Sequence, residues 1–458
     1  MKSFLIFFIV GLLMGCDAPG KKLDPNYILI QNVNIVDVRN GKILEKRQVV
    51  IDSGKIKSIT ETIEDPETFG LRIDGKDKYL MPGLAEMHAH IPPPTTDSLR
   101  IAETLFLYLS NGITTIRGML GDPAHLVLRE KANSREILSP RIFTSSPSLN
   151  GTSVTTKEQA IEKVRAYKKA GYDFLKIHPG IALEVFDQIV QTANEVNIPF
   201  AGHVPVDVGI RHALESKYAS IDHVDGFLEG LVPESQRVDP NANGFFGYNF
   251  VPLADTTKIN GLVALDKTYQ VWVVPTESLF NRWFAPVGSN ILLQEPEMKY
   301  MPASTLEDWR RRKDEATGVK TTFNSVQWQQ FDDIRKQLIL KLEENGQGLL
   351  LGSDAPQVFN VPGFSIHHEM DGMLNAGLTP LQVLQSGTLN PATFFNMEDT
   401  FGEVREGLDA DLILLDANPL QDLRAIKQVI GVLVRGTWLS KKNIDEKLME
   451  IAKNAAQN

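Results

Sequence analysis

The 458 residues are enough for a large core plus a smaller domain. Hydrophobic residues make up 42% and charged residues 23%, the balance of an ordinary globular protein. A formal charge of −10 argues against a nucleic-acid partner, which selects a basic face, and a single cysteine excludes an internal disulfide.

The chain opens with Lys2 and an apolar run over residues 4–14. That run is too short to span a bilayer and has the length of a secretory signal core. It ends at Leu13-Met14-Gly15-Cys16, which resembles the bacterial lipoprotein signal. The resemblance implies removal of residues 1–15, lipidation of Cys16, and a membrane-anchored place in the bacterial cell envelope, periplasmic or surface-facing. Plain secretory cleavage with an idle cysteine is the alternative. Residues 16–26 are polar and read as a tether.

Residues 27–80 are rich in β-branched side chains broken by turn signals such as Asp52-Ser53-Gly54, the pattern of antiparallel strands. The same texture returns over residues 401–445, at Leu412-Ile413-Leu414-Leu415 and Val432-Leu433-Val434. Two β-rich flanks around a long middle predict one small sandwich built from both termini, with residues 446–458 as a tail. The middle, residues 81–400, alternates apolar strands with helices. One helix is expected over residues 157–170, after Thr156 and before Gly171. Eight such repeats predict a (β/α)8 barrel, an α/β fold. Long connections at 224–267 and 276–346 interrupt it, and Asn241-Ala242-Asn243-Gly244-Phe245-Phe246-Gly247-Tyr248 reads as a flexible aromatic flap over the mouth.

Six chemically distinctive residues fall at the C-terminal ends of the expected barrel strands, the face where such barrels gather catalytic groups. They are His88 and His90 on the first strand, Lys176 on the fourth, His203 on the fifth, His223 on the sixth and Asp354 on the eighth. His88 and His90 are two apart and share a strand face. Imidazole and carboxylate together suit a borderline divalent cation, Zn²⁺ first. Singly, each has an ordinary reading: a rim histidine, a snorkelling lysine, a helix-capping aspartate. His178 lies two residues beyond Lys176 and faces the same way, toward substrate or as a rim residue. His125, His212, His367 and His368 read as structural or solvent-facing.

Pro82-Gly83-Leu84-Ala85-Glu86-Met87-His88-Ala89-His90, Gly202-His203, Asp222-His223, Gly352-Ser353-Asp354-Ala355 and Gly402-Glu403-Val404 through Ala410-Asp411-Leu412 resemble the motifs of the amidohydrolase superfamily. The nearest group is that of imidazolonepropionase-like proteins and Xaa-Pro or Xaa-Arg dipeptidases. The resemblance implies that His88, His90 and Asp354 hold one metal ion, His203 and His223 a second, and Lys176 bridges them as a carbamate. A lysine ammonium cannot ligate a cation, but burial beside metal favours the neutral amine, which takes up CO₂. The resemblance further implies a metal-activated hydroxide, with Asp354 as general base and then acid.

After the third strand, relatives carry Thr-Gly-Gly-His, whose histidine polarises the substrate carbonyl. Ser148-Leu149-Asn150-Gly151 has no histidine there, so the carbonyl-activating group is unassigned. The expected function is hydrolysis of an amide or peptide-like C–N bond in a small dipeptide or N-acyl amino acid. The alternatives are a mononuclear cyclic-amide hydrolase with free Lys176, or a non-catalytic binding lipoprotein on the same barrel. One or two divalent ions per chain are expected, two if Lys176 is carbamylated. Tyr248 and Arg282 are the candidate substrate contacts in the long connections.

Overall fold

The computed structural model describes residues 24–318 and 323–457. Cys16 and the signal-like stretch before it lie outside the described residues. Among the described residues, no helix is long and apolar enough to cross a membrane.

Strands β1 (Asp24–Asp37), β2 (Lys42–Asp52), β3 (Lys55–Thr60), β4 (Phe69–Asp74) and β5 (Tyr79–Pro82) form the N-terminal part of one mixed sheet. Seven parallel strands follow as the barrel wall: β6 (Leu84–Ala89), β7 (Ile113–Gly118), β8 (Arg141–Leu149), β9 (Phe174–Ile177), β10 (Phe200–Gly202), β11 (Ser220–Asp222) and β12 (Trp272–Val274). The chain then returns to the first sheet with β13 (Leu412–Leu415), β14 (Val429–Val434) and β15 (Thr437–Ser440). That sheet runs β15-β14-β13-β5-β1-β2-β3, with β4 also paired to β1. The two termini therefore build one eight-stranded sheet that branches at β1, where the sequence predicts a sandwich. Its own core includes Ile30, Val49, Leu80, Leu414 and Leu433.

The eighth barrel position is filled by an irregular segment rather than a regular strand. Residues 349–355 run between β12 and β6 through isolated parallel bridges, Val273 with Leu349 and Ala89 with Ala355. Met87 N donates to Leu351 O at 2.8 Å, and Leu350 N to Val273 O at 2.9 Å. Glycine makes this fit possible: a Cβ on Gly352 would lie 2.7 Å from His88 N and 2.6 Å from Val274 Cγ1. All six residues of β6 and of β7 are buried, as expected for strands covered by helices on one face and by the barrel interior on the other.

The helix expected over residues 157–170 spans Lys157–Ala170, with the Thr156 side chain accepting from Gln159 N and Gly171 ending it at φ 90°. The longer connection carries its own helices, Ala303–Thr317 and Ser325–Asn345. The chain end is more ordered than a tail. Ser440 and Asn443 cap a helix over Lys441–Ala455, which buries Ile444, Ile451 and Ala455.

Candidate active site

The parallel wall delivers the expected residues to one place. Asp354 Oδ1 is the hub: His90 Nε2 lies 2.6 Å from it and His88 Nε2 3.3 Å. One ligand atom from each of His88, His90 and Asp354 falls within 4.8 Å of the others. The His88 and His223 rings are 4.7 Å apart, as are those of His203 and His223. Lys176 is fully buried. The six residues picked from the sequence thus converge.

The other ring nitrogens explain how these histidines are oriented. His203 Nδ1 lies 3.0 Å from Asp225 Oδ2, and His223 Nδ1 lies 2.8 Å from Thr276 Oγ1. His88 Nδ1 lies 3.3 Å from Asp222 Oδ2, within ion-pair reach although poorly aligned for a hydrogen bond. A carboxylate only accepts, so it fixes the proton on Nδ1 and leaves the Nε2 lone pair free, the arrangement a metal-binding histidine needs. Burial pulls the His88 imidazole down to about 4 despite Asp354 and Asp222, and pulls His223 well below its ordinary value. Both are neutral at physiological pH and available as ligands. Burial pushes Asp354 up, but His88, His90 and Lys176 outweigh it and leave the carboxylate below its ordinary value. Imidazoles gathered around an ionised carboxylate are a donor set that fits a divalent cation.

His178 belongs to the same cluster with the opposite tautomer. Its ring stacks on His203 at 5.1 Å. Asn150 Nδ2 donates to Ser148 Oγ at 2.8 Å, and Ser148 Oγ lies 2.8 Å from His178 Nδ1. A serine hydroxyl that accepts from Asn150 is free to donate to His178 Nδ1, which would put the imidazole proton on Nε2. Burial, helped by Lys176 and His203, pulls this imidazole down to about 2, so it stays neutral. His178 is therefore presented as a hydrogen-bond donor rather than as a ligand.

Asp222, Arg117 and Phe246 are further parts of the site, none of them among the candidate site residues read from the sequence. Asp222 Oδ2 lies 3.1 Å from Lys176 Nζ, and Asp222 Oδ1 lies 3.2 Å from Arg117 Nη2. Arg117 Nε also donates to Met87 O at 2.7 Å and Nη1 to Ser220 Oγ at 2.9 Å. Burial would raise Asp222, but Lys176, His88 and Arg117 together hold its carboxyl well below the usual range. Phe246 comes from the flap, with its ring 5.3 Å from His223 and 5.9 Å from His203. It adopts a left-handed φ of 48°, uncommon for a bulky residue. The aromatic spacing of the flap was the one signal in the sequence that pointed to it.

The two candidate substrate contacts are committed elsewhere. The Tyr248 hydroxyl donates to Asn324 O at 2.9 Å, and its ring stacks on Phe245, so it staples the flap to the second insertion. Arg282 is only 4% exposed; it pairs with Glu295 and donates from Nε to Phe359 O at 2.6 Å. The four remaining histidines, read as structural or solvent-facing, lie outside this cluster and have partners of their own. His367 meets Asn111, His125 meets the Pro92 carbonyl, His212 meets Asp187 and His368 meets Glu297.

Comparison with known proteins agrees with this geometry. The imidazolonepropionase of Vibrio parahaemolyticus is 21% identical over 451 residues, covering 90% of this chain and 99% of that protein. A 5-methylthioadenosine/S-adenosylhomocysteine deaminase of Caldanaerobacter subterraneus is 39% identical, but only over 64 residues; the match spans 14% of that enzyme's length. Among solved structures, a bottromycin amidohydrolase superposes with a TM-score of 0.74 at 22% identity, over 94% of this chain and 91% of that one. A Xaa-Pro dipeptidase with bound methionine superposes with a TM-score of 0.62 at 19% identity, over 90% and 100%. At such identities these two neighbours speak for the fold. Residues 79–237 and 303–439, well over half of the chain, match the profile of the amidohydrolase family, and the chain belongs to that family.

Proposed function

We propose that this hydrolase of the amidohydrolase family cleaves the amide bond of a small dipeptide or N-acyl amino acid, using two divalent ions, Zn²⁺ first. The observation that carries this reading is the division among the imidazoles. His88 and His203 have their Nδ1 atoms turned to the carboxylates of Asp222 and Asp225, which frees Nε2 for a cation, and the Thr276 hydroxyl engages Nδ1 of His223 and leaves Nε2 as its open ring nitrogen. His88, His90 and Asp354 would hold one ion, and His203 and His223 the other. When bound, such ions lower the pKa of a water toward neutrality and polarise a carbonyl.

The chain's own groups do the rest. Asp354 Oδ1 holds a proton taken from water and returns it to the leaving amine. His178 Nε2–H donates to the carbonyl oxygen, the role that no histidine after β8 fills. The Phe246 ring gives the wall beside His203 and His223 an apolar surface, which favours an apolar substrate side chain. Lys176 as a carbamate supplies the negative charge that two dications need. Without it, the cations Lys176 and Arg117 already offset the carboxylates of Asp222 and Asp354 before either ion enters.

The test is to reload metal-free protein with Zn²⁺ and bicarbonate, count ions per chain by elemental analysis, and assay dipeptides, N-acyl amino acids and cyclic amides. Two ions and chelator-sensitive release of amine from linear amides are expected. Two ions without turnover of any panel member would sink the hydrolase reading. In the same assay His178→Phe lowers kcat about 10²-fold, the cost of removing an oxyanion donor, with the ion count unchanged. One observation favours a second reading. The 3.1 Å contact from Lys176 Nζ to Asp222 suits an unmodified ammonium, hence a single ion and a cyclic-amide substrate; one ion per chain in the same experiment would select it.

We also propose that Cys16 carries a lipid anchor, on the strength of the apolar run that ends there. Metabolic labelling with palmitate is expected to mark the full-length chain and to be lost in Cys16→Ser. Equal labelling of both would end that proposal.

A further inference from the structure

His223 depends on unusual backbone geometry. It has φ 66°, and Val224 after it has φ 56°, so two consecutive non-glycine residues are left-handed. Its hydrogen-bond partner Thr276 is also left-handed, with φ 51°. For β-branched Val224 and Thr276 such angles are outliers that persist only where the surroundings over-determine them. The two stretches lie at the ends of neighbouring strands, β11 and β12, and the 2.8 Å contact between His223 Nδ1 and Thr276 Oγ1 requires both to be held at once.

A single side chain spans them. Arg335, on the helix Ser325–Asn345 of the second insertion, is 2% exposed. Its Nη1 donates to His223 O at 2.6 Å and its Nη2 to Pro275 O at 2.9 Å. Nε and Nη2 both donate to Glu277 Oε1, at 2.8 and 2.5 Å. The Phe280 ring lies against the guanidinium, 3.5 Å from Cζ. One planar fork is thus bonded to the carbonyl of the histidine, to the carbonyl before Thr276 and to the carboxylate after it. A lysine point charge cannot reproduce that geometry.

We infer that Arg335 is the positioning residue of the second ion site: the insertion helix, through this guanidinium, sets the direction of His223 Nε2. The inference rests on the two-ion reading above. It gives the 276–346 insertion a part in assembling the metal centre. The first site, His88 with His90 and Asp354, receives no hydrogen bond from Arg335.

The experiment is a Co²⁺ titration of metal-free protein, followed by visible absorption in competition with a chelator, for wild type and Arg335→Lys. Wild type takes up two equivalents. Arg335→Lys keeps the tighter one unchanged and binds the other about 10–100-fold more weakly, the usual cost of losing a group that orients a metal ligand. Two wild-type affinities in Arg335→Lys overturn the inference. Equal loss at both sites also overturns it, since that is the mark of a general structural role. If Arg335→Lys does not fold, the double variant Arg335→Met with Glu277→Gln removes both charges of the buried pair and is read the same way. A wild-type protein that takes up one equivalent refutes the two-ion reading itself, and this inference with it, before any variant is compared.

Discussion

Asp354→Asn is expected to keep part of its bound metal and to lose turnover by about 10²–10⁴-fold, the usual range for removing a positioned acid–base group. Asparagine is the informative substitution for two reasons. Asp354 has a left-handed φ of 64°, which asparagine tolerates better than most residues, so the segment beside β6 keeps its path. The amide oxygen can still face His90 Nε2, now 2.6 Å from Asp354 Oδ1, but an amide neither accepts nor returns a proton at neutral pH. The measurement is kcat on the best linear amide together with ions per chain. If the variant retains more than a tenth of kcat with its metal in place, the proton passes through another group and the role given to Asp354 is wrong.

The converging residues were legible in the sequence because each stands at or just past the end of an expected strand, where a period of two and the polarity of a parallel barrel guide which way a side chain points. His88 and His90, two apart at the end of β6, are the clearest case. Asp222 was not legible for the complementary reason. It precedes His223, and strict alternation would put adjacent residues on opposite faces. The strand ends at Asp222, and the left-handed turn at His223 breaks the alternation, so both approach His88. Arg117, on β7, meets Asp222 only through a contact across the barrel to β11, which no local pattern in the sequence announces. Arg335 was beyond reach. It lies mid-helix in an insertion, and only the tertiary fold carries it to the His223 carbonyl. Tyr248 and Arg282 were misplaced because composition marks an aromatic or a cation as available, whereas burial and existing partners decide whether it is.

Asp222→Ala is expected to destabilise the metal-free protein by about 3–5 kcal/mol, the cost of leaving buried charge without its partner. That is a large part of the roughly 5–15 kcal/mol available to a folded domain. Asp222 faces two cations, Lys176 at 3.1 Å and Arg117 at 3.2 Å, and all three side chains are essentially inaccessible to water. Arg117 keeps Met87 O and Ser220 Oγ when the carboxylate is removed, so the orphaned charge is chiefly the ammonium of Lys176. Lys176→Met in the Asp222→Ala background should therefore recover part of the loss, a coupling read from urea denaturation of the four proteins of the cycle. The same cycle reports the chemical state of Lys176. An ammonium makes Asp222 an attractive partner, whereas a carbamate makes it a like-charged neighbour that only Arg117 offsets. The milder change Asp222→Asn should then be costly in metal-free protein and much less so in protein loaded with metal and bicarbonate. An equal cost in both forms means that Lys176 remains an ammonium throughout, and the bridging role falls. A cost below about 1 kcal/mol in the metal-free form, no more than an exposed surface pair is worth, would mean that the buried network does not hold the site together at all.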